Sequence, residues 1–151
     1  MAKFSCELPT ELIKDITKLE ENLPKMLEEM TQAGAEVVKK NVISNMQSSF
    51  KDSSKLEKYL KVTKSYRTKD GSVNTKVGFY GYYKKGSKTF SITSKKGTTY
   101  SYDGIPVPLI VRAREFGSSS GEAKRPFFRK SFNNSQIETE MLKVQKKYIK
   151  E

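Results

Sequence analysis

The sequence contains no histidine and only one cysteine, Cys6, among its 151 residues. Without histidine there is no Ser-His-Asp or Cys-His pair for nucleophilic catalysis and no general base that titrates naturally near neutrality. A zinc site built from cysteine and histidine is excluded for the same reason. A single cysteine cannot form a disulfide within the chain and suits a reducing compartment. We therefore expect no catalytic residues, no metal ligands and no cofactor.

Long apolar runs and clustered carboxylates are also missing. No run approaches the roughly 20 apolar residues that span a bilayer, and the segment from Met1 to Leu8 lacks the apolar stretch of a secretion signal. Composition leaves carboxylate catalysis or a magnesium site open. However, the acids lie among lysines or at helical spacing, and no Asp-x-Asp cluster occurs. We expect no membrane association, and an enzyme such as a carboxylate-dependent nuclease is the weakest hypothesis.

Positive charge is abundant and unevenly distributed. The formal net charge is +12, made up of −2 over residues 1–50 and +14 over residues 51–151. This division predicts a mildly acidic front followed by a strongly basic body. The eight phenylalanines and eight tyrosines supply enough apolar surface for a folded core. The length suits one domain, which we expect to cover residues 1–151.

The acidic front has the periodicity of helices. Residues 1–22 predict an N-terminal helical segment that Thr10 can cap, and Asn22 before Leu23 and Pro24 predicts the start of a long helix over residues 23–50. The apolar stripe of the long helix has two interpretations, a docking face for a partner subunit or a face packed on a sheet. Packing on a sheet is the favoured one. The positions in this stripe, with two polar residues among them, are Met26, Leu27, Met30, Ala33, Gly34, Val37, Val38, Asn41, Val42, Ser44 and Met46.

A β-hairpin region is predicted over residues 59–104. Two runs of alternating residues, mostly apolar, extend from Leu60 to Tyr66 with Lys64 among them and from Val73 to Phe79 with Thr75 among them. Asp70-Gly71 between the two runs is a strong hairpin signal. A basic insertion over residues 82–102 follows, in which tyrosines alternate with lysines. We expect a protruding hairpin or loop that faces DNA or a protein partner. Its lysines are Lys84, Lys85, Lys88, Lys95 and Lys96.

Residues 105–151 predict a short helix that ends at Gly117, a flexible loop, and a C-terminal helix that starts near Arg129. Phe116 and Phe127 can be buried anchors on either side of the loop, and Pro126 fixes the chain before the last helix. Glu115 can accept a charge-assisted hydrogen bond from Arg112, Arg125 or Arg129. These residues would either close the fold or form a subunit interface. The candidate motif is Glu115, Phe116, Gly117, Arg125, Pro126 and Phe127.

Together these elements predict an α+β fold. The long N-terminal helix and the C-terminal helix would pack on a small, mainly antiparallel sheet, with the Lys/Tyr-rich hairpin or loop protruding from it.

The order of two short motifs resembles the tail-component family of tailed bacteriophages. The motifs are Arg114-Glu115-Phe116-Gly117-Ser118 and Arg125-Pro126-Phe127-Phe128-Arg129. Members of that family combine a long helix, a Gly-x-Leu segment before a hairpin, a Glu-Phe-Gly-Thr-like turn and an Arg/Lys-Pro-Phe motif. Here Ser54-Lys55-Leu56 stands in place of Gly-x-Leu, and Ser118 stands in place of threonine. The resemblance covers most of residues 24–150 outside the insertion at 82–104.

The resemblance implies a structural virion protein at the head–tail junction, a neck or tail-completion component. Such a protein would form a ring of identical copies, six by the symmetry of such tails, and would join the capsid connector to tail-terminator or tube proteins. It would be found in the virion, and in the host cytoplasm during assembly. Non-specific contact with genomic DNA is a further expectation. The alternative from a different class is a stand-alone basic nucleic-acid-binding module.

A ring requires head-to-tail contacts between two different surfaces of each copy. The acidic front and the basic body offer such a complementary pair, with aromatic residues as anchors. The acids that carry this expectation are Glu20, Glu21, Glu28 and Glu29.

Overall fold

A computed structural model describes residues 9–83, 89–119, 121 and 123–149. Four α-helices and paired antiparallel strands confirm the predicted α+β class. The helices are α1 (Thr10–Ser49), α2 (Ser53–Glu57), α3 (Val107–Phe116) and α4 (Asn134–Ile149), with a 3-10 turn at Arg129–Ser131. The strands are β1 (Leu60–Val62), β2 (Tyr66–Arg67), β3 (Val73–Asn74), β4 (Val77–Phe79), β5 (Tyr82–Tyr83), β6 (Thr89–Thr93), β7 (Thr99–Asp103) and β8 (Ile105–Pro106).

The acidic front forms a single helix, so the predicted break at Asn22 is wrong. α1 runs without interruption from Thr10 to Ser49, with Pro24 in its interior and Pro9, not Thr10, at the N-cap. A proline inside a helix removes the hydrogen bond to the carbonyl four residues earlier. Here that carbonyl belongs to Glu20, an exposed residue. Water can therefore replace the lost donor, and the helix continues.

The middle and the C-terminal half of α1 form one wall of the core. Phe127 lies at the centre of this core and is fully buried. Its ring meets that of Phe50 edge-on with 5.3 Å between centroids, and that of Phe79 at 6.2 Å. The buried residues of this cluster come from α1, α2, the hairpin, α3 and the loop before α4. They are Val38, Val42, Met46, Phe50, Leu56, Leu60, Phe79, Val107 and Phe127.

The Asp-Gly hairpin is confirmed. β1 pairs with β4 and β2 pairs with β3, both antiparallel, and the register shifts by one residue between the two pairs. Gly71 has a φ of +86°, which favours glycine. Asp70 stabilises the turn by accepting hydrogen bonds from the Ser72 amide and the Thr68 and Ser72 hydroxyls. Leu60 and Phe79 therefore face each other across the ladder and point into the core.

The basic insertion contains a second hairpin. β6 pairs with β7 in an antiparallel register from Thr89↔Asp103 to Thr93↔Thr99, which is the hairpin of the two alternatives that the sequence left open. Gly97 in its turn has a φ of +80°. β5 and β8, on either side of this hairpin, pair with each other and close its base.

The C-terminal helix begins at Asn134 and not near Arg129, because a 3-10 turn intervenes. α4 packs along α1, and the two helices are antiparallel. The Asn41 amide donates to Gln136 Oε1 at 3.0 Å. Seven residues earlier on α1, Gly34 allows α4 to approach closely, since a Cβ on Gly34 would lie 3.1 Å from Ile137 Cγ2. Within the described ranges, no helix has a stretch long and apolar enough to cross a membrane.

We predict that Phe127→Ala lowers the free energy of unfolding by about 3–5 kcal/mol, because it leaves a cavity between two aromatic rings. Phe116→Ala is the matched control. The Phe116 ring is 54% exposed, so its loss should cost under about 1 kcal/mol. Urea unfolding followed by far-UV circular dichroism measures both values. Equal losses for the two variants would contradict this description of the core.

Candidate functional site

Glu115 is the most constrained polar side chain of the candidate motif. It lies in the last turn of α3 and is 3% exposed. One carboxylate oxygen, Oε2, accepts hydrogen bonds from the backbone amides of Phe127 and Phe128 at 2.8 and 2.9 Å. The other, Oε1, accepts from the Arg129 amide at 3.2 Å and from Arg129 Nε at 3.3 Å. The carboxylate thus holds three consecutive amides at the start of the 3-10 turn.

Two opposing effects act on the pKa of Glu115. Burial, the largest single influence, raises the pKa by penalising the charged form. The hydrogen bonds from the three amides and the Arg129 side chain favour the charged form and together outweigh burial, so the net pKa is lowered from its ordinary value of 4.5. Glu115 is therefore ionised at neutral pH, the state that this set of four donors requires.

Arg114 and Arg125 attach the same region to the end of α1. The Arg114 guanidinium makes a bidentate contact with Asp52, with N–O distances of 3.1 and 3.0 Å. It also lies over the Phe50 ring, 4.8 Å from the centroid. The hydrogen bond from Arg114 is the largest cause of the lowered pKa of Asp52. Arg125 donates from its side chain to the Ser49 carbonyl at 3.1 Å, and its amide donates to the Arg114 carbonyl at 2.9 Å.

The structure places the two candidate phenylalanine anchors differently. Phe127 is buried at the centre of the core, but Phe116 is exposed, and its expected burial is wrong. The reason is the geometry of α3. Neighbouring residues of a helix point about 100° apart, so the turn that buries Glu115 directs Phe116 outward. The Arg129 guanidinium lies over the Phe116 ring, 4.7 Å from its centroid. Gly117 ends α3 with a φ of +82°.

Ser131, at the end of the 3-10 turn, provides a further link between the motif and α1. Asn45 donates to Ser131 Oγ at 2.9 Å, and that hydroxyl donates to the Phe127 carbonyl at 2.7 Å. Ser131 is fully buried. The sequence analysis missed Asn45, Asp52 and Ser131. The polar Asn41-to-Asn45 spacing on an otherwise apolar helix face was the one available signal, since it requires polar partners in the core.

The structure divides the predicted basic segment. Lys84, Lys85 and Lys88 lie outside the described residues. Lys95 and Lys96 are exposed in the turn between β6 and β7. Neither of these two lysines is among the groups that contact Glu115.

A second basic surface was missed by the sequence analysis. It lies on the solvent side of the β1–β4 hairpin and is formed by Lys61, Tyr66, Lys76, Gly78 and Tyr80, which we call the hairpin face. Lys76 Nζ lies 5.0 Å from the Tyr66 ring centroid. The alternation from Val73 to Phe79 was the signal for Lys76 and Gly78, because residues between the buried positions point outward. Tyr66 shares the alternation of Leu60 and Val62, so the sequence pattern gave no signal for its exposure.

The polar groups of the candidate motif hold one another in place. Among the described residues, no group of three or more His, Cys, Asp or Glu side chains could hold a metal ion. The donors around Glu115 are fully engaged with its carboxylate. This arrangement fixes the turn before α4 and thereby positions Phe127.

We predict that Glu115→Gln lowers the free energy of unfolding by about 3 kcal/mol. The amide lacks the negative charge, and its NH2 group faces backbone donors that then have no acceptor. Glu138→Gln, an exposed change on α4, is the matched control and should stay within about 0.5 kcal/mol of the wild type. Urea unfolding at neutral pH tests both. A cost for Glu115→Gln no larger than that of its control would contradict the structural role.

We also predict that the contribution of Glu115 to stability is lost in acid. The folded state lowers the pKa of Glu115, so the unfolded state binds the proton more readily. The contribution is therefore complete above the ordinary value of 4.5 and disappears as pH falls through the lower folded-state pKa. The difference in unfolding free energy between wild type and Glu115→Gln should narrow across this acid range. A difference independent of pH would contradict the prediction.

Comparison with known proteins gives one family match. The family described as "Bacteriophage HK97-gp10, putative tail-component" matches residues 10–98, more than half of the chain, from the start of α1 through β6 to the turn before β7. No curated protein and no solved structure matches. The matched segment ends before Glu115, so the match is independent of the two motifs on which the resemblance was based. The chain belongs to the HK97-gp10-like family of bacteriophage tail components.

Proposed function

We propose that the protein is a structural subunit of the head–tail junction, where identical copies form a ring that joins the capsid connector to the tail. The single observation that carries the proposal is membership of the tail-component family over residues 10–98. Membership supports a structural role in the tail and a location in the virion. The position at the junction and the ring are the finer parts of the proposal.

The surface of the subunit supports assembly from copies. A ring needs two unlike surfaces on each copy, because a head-to-tail contact joins one surface to the other. The four acids that the sequence analysis named on α1, Glu20, Glu21, Glu28 and Glu29, are all exposed. The region from residue 58 to residue 102 contains eleven lysines and arginines and one acid. The subunit thus presents opposite charges on separate elements.

The hydrogen bonds of the buried and half-buried acids also support a structural role for the protein. The Glu115 carboxylate is occupied by four donors, and Asp52 by Arg114. These contacts stabilise the fold, which supports a structural role for both carboxylates. A role based on shape and surface charge requires a rigid subunit, which such a network provides.

We predict that the purified full-length protein forms rings at low ionic strength and that the rings dissociate as salt rises. Exposed charges are screened beyond roughly 10 Å at about 0.1 M salt and beyond roughly 3 Å at about 1 M. Sedimentation velocity across this range, with negative-stain electron microscopy of the low-salt sample, measures the change. Far-UV circular dichroism at each salt concentration is the control that the subunit stays folded.

The results separate the proposal from its alternative. Rings that persist unchanged at high salt would remove charge complementarity as the cause of assembly. A protein that is monomeric at every salt concentration and binds duplex DNA tightly in filter binding would favour the stand-alone nucleic-acid-binding module. Self-association with weak DNA binding is the result expected for a tail subunit.

A further inference from the structure

The N-terminal part of α1 extends beyond the core. The helix has 40 residues, about 60 Å at 1.5 Å per residue, whereas its first buried residue is Met26. α4 runs back along α1, and its last turn forms an open groove with Ile16 and Leu19. We call residues 10–23 the α1 arm. This arm, which lies outside the core, is just over a third of the helix.

The α1 arm carries an apolar stripe. Ile13, Ile16, Leu19 and Leu23 are 48%, 51%, 44% and 41% exposed. Their spacing of three and four residues places them on one side of the helix. Met26, three residues after Leu23, lies on the same side of the helix and is buried. The exposed stripe of the arm is therefore continuous with the buried stripe of the rest of α1. Such a continuous apolar stripe on a helix indicates a partner surface.

The charges beside the stripe disfavour pairing between two identical arms. The α1 arm contains four acids and two lysines, and all six are exposed; the acids are Glu11, Asp15, Glu20 and Glu21. Two identical arms would place acids beside acids, and like charges across an interface cost binding free energy. A basic surface with exposed apolar area is the complementary partner.

The hairpin face is basic and has exposed apolar area. Tyr66 and Tyr80 are 38% and 42% exposed, and Lys61 and Lys76 lie on the same side of the ladder. Gly78 faces Lys61 across the ladder, and the Tyr80 ring lies over it, with the Tyr80 hydroxyl 3.4 Å from the place that a Cβ would take. A helix with isoleucines and leucines along one side and acids along its edges fits this surface.

We propose that the α1 arm of one copy docks on the hairpin face of the next copy. Ile16 and Leu19 contact the tyrosine rings, and Glu20 and Glu21 pair with Lys61 and Lys76. The contact is head-to-tail, so each bound copy still presents one free arm and one free hairpin face, and the contact repeats until a ring closes. This inference rests on the proposed function, because it names the two surfaces that the ring uses.

Mixing two full-length variants tests the contact. The arm variant carries Ile16→Asp and Leu19→Asp, and the face variant carries Lys61→Glu and Lys76→Glu. Each variant alone should self-associate at least about tenfold more weakly than the wild type. The mixture should form a one-to-one heterodimer and no ring, because one intact arm and one intact face remain. Native mass spectrometry identifies the species, and circular dichroism verifies that both variants fold.

A matched control separates local contact from net charge. Lys124→Glu with Lys130→Glu makes the same charge change at exposed positions outside the hairpin face, and this variant should assemble as the wild type does. Three results would overturn the proposal. They are assembly of the arm variant at wild-type strength, self-association of the face variant through paired arms, and equal weakening by the control variant.

Crosslinking gives a second measurement that does not depend on variants. Carbodiimide treatment of a mixture of ¹⁴N- and ¹⁵N-labelled wild-type protein should join Glu20 or Glu21 of one copy to Lys61 or Lys76 of another. Rings whose crosslinks between copies lie elsewhere would overturn the docking pair and leave the proposed function standing. Wild-type protein that stays monomeric, gives no such crosslink and binds duplex DNA tightly would overturn both.

Discussion

The structure depends on one carboxylate that replaces missing backbone partners. Three consecutive amides, from Phe127 to Arg129, donate to Glu115 where the chain re-enters the core after a loop. A buried amide without an acceptor costs about 1–3 kcal/mol, so without Glu115 this turn could not be buried. The turn then places Phe127 between Phe50 and Phe79. A single acceptor thus fixes the geometry at which α1, the β1–β4 hairpin, α3 and the start of α4 meet.

Local sequence patterns predicted the elements that depend on local chemistry. The Asp70-Gly71 turn, the alternation on either side of it and the end of α3 at Gly117 all follow from backbone preferences that neighbouring residues determine. Pro24 shows the limit of such patterns. Proline is compatible both with the first turn of a new helix and with the interior of an existing one, and solvation of the Glu20 carbonyl decides between them. That solvation is a property of the folded molecule and not of the sequence pattern.

The candidate site was only partly predictable for a similar reason. The sequence offered three arginines as donors to Glu115, namely Arg112, Arg125 or Arg129, and the structure shows Arg129. The three backbone amides that dominate the site have no side-chain signature. Phe116 and Phe127 are chemically identical. The last turn of α3 directs Phe116 outward, and the turn held by Glu115 buries Phe127. The family match covers residues 10–98, whereas these residues lie beyond it. Family membership and the Glu115 network are therefore independent results, and the first carries the function.

The continuous α1 helix links the fold to the proposed assembly. An isolated helix of about 14 residues is marginal in water because nucleation is costly. As part of one helix with a buried C-terminal half, the α1 arm needs no separate nucleation, since the core has already ordered the helix. A preordered arm loses less conformational entropy when it binds, and binding free energy that ordering would have consumed remains available. Two separate helices, as the sequence pattern at Asn22 predicted, would have lost this advantage. The same core that Glu115 organises therefore holds the arm in position to bind a neighbouring copy.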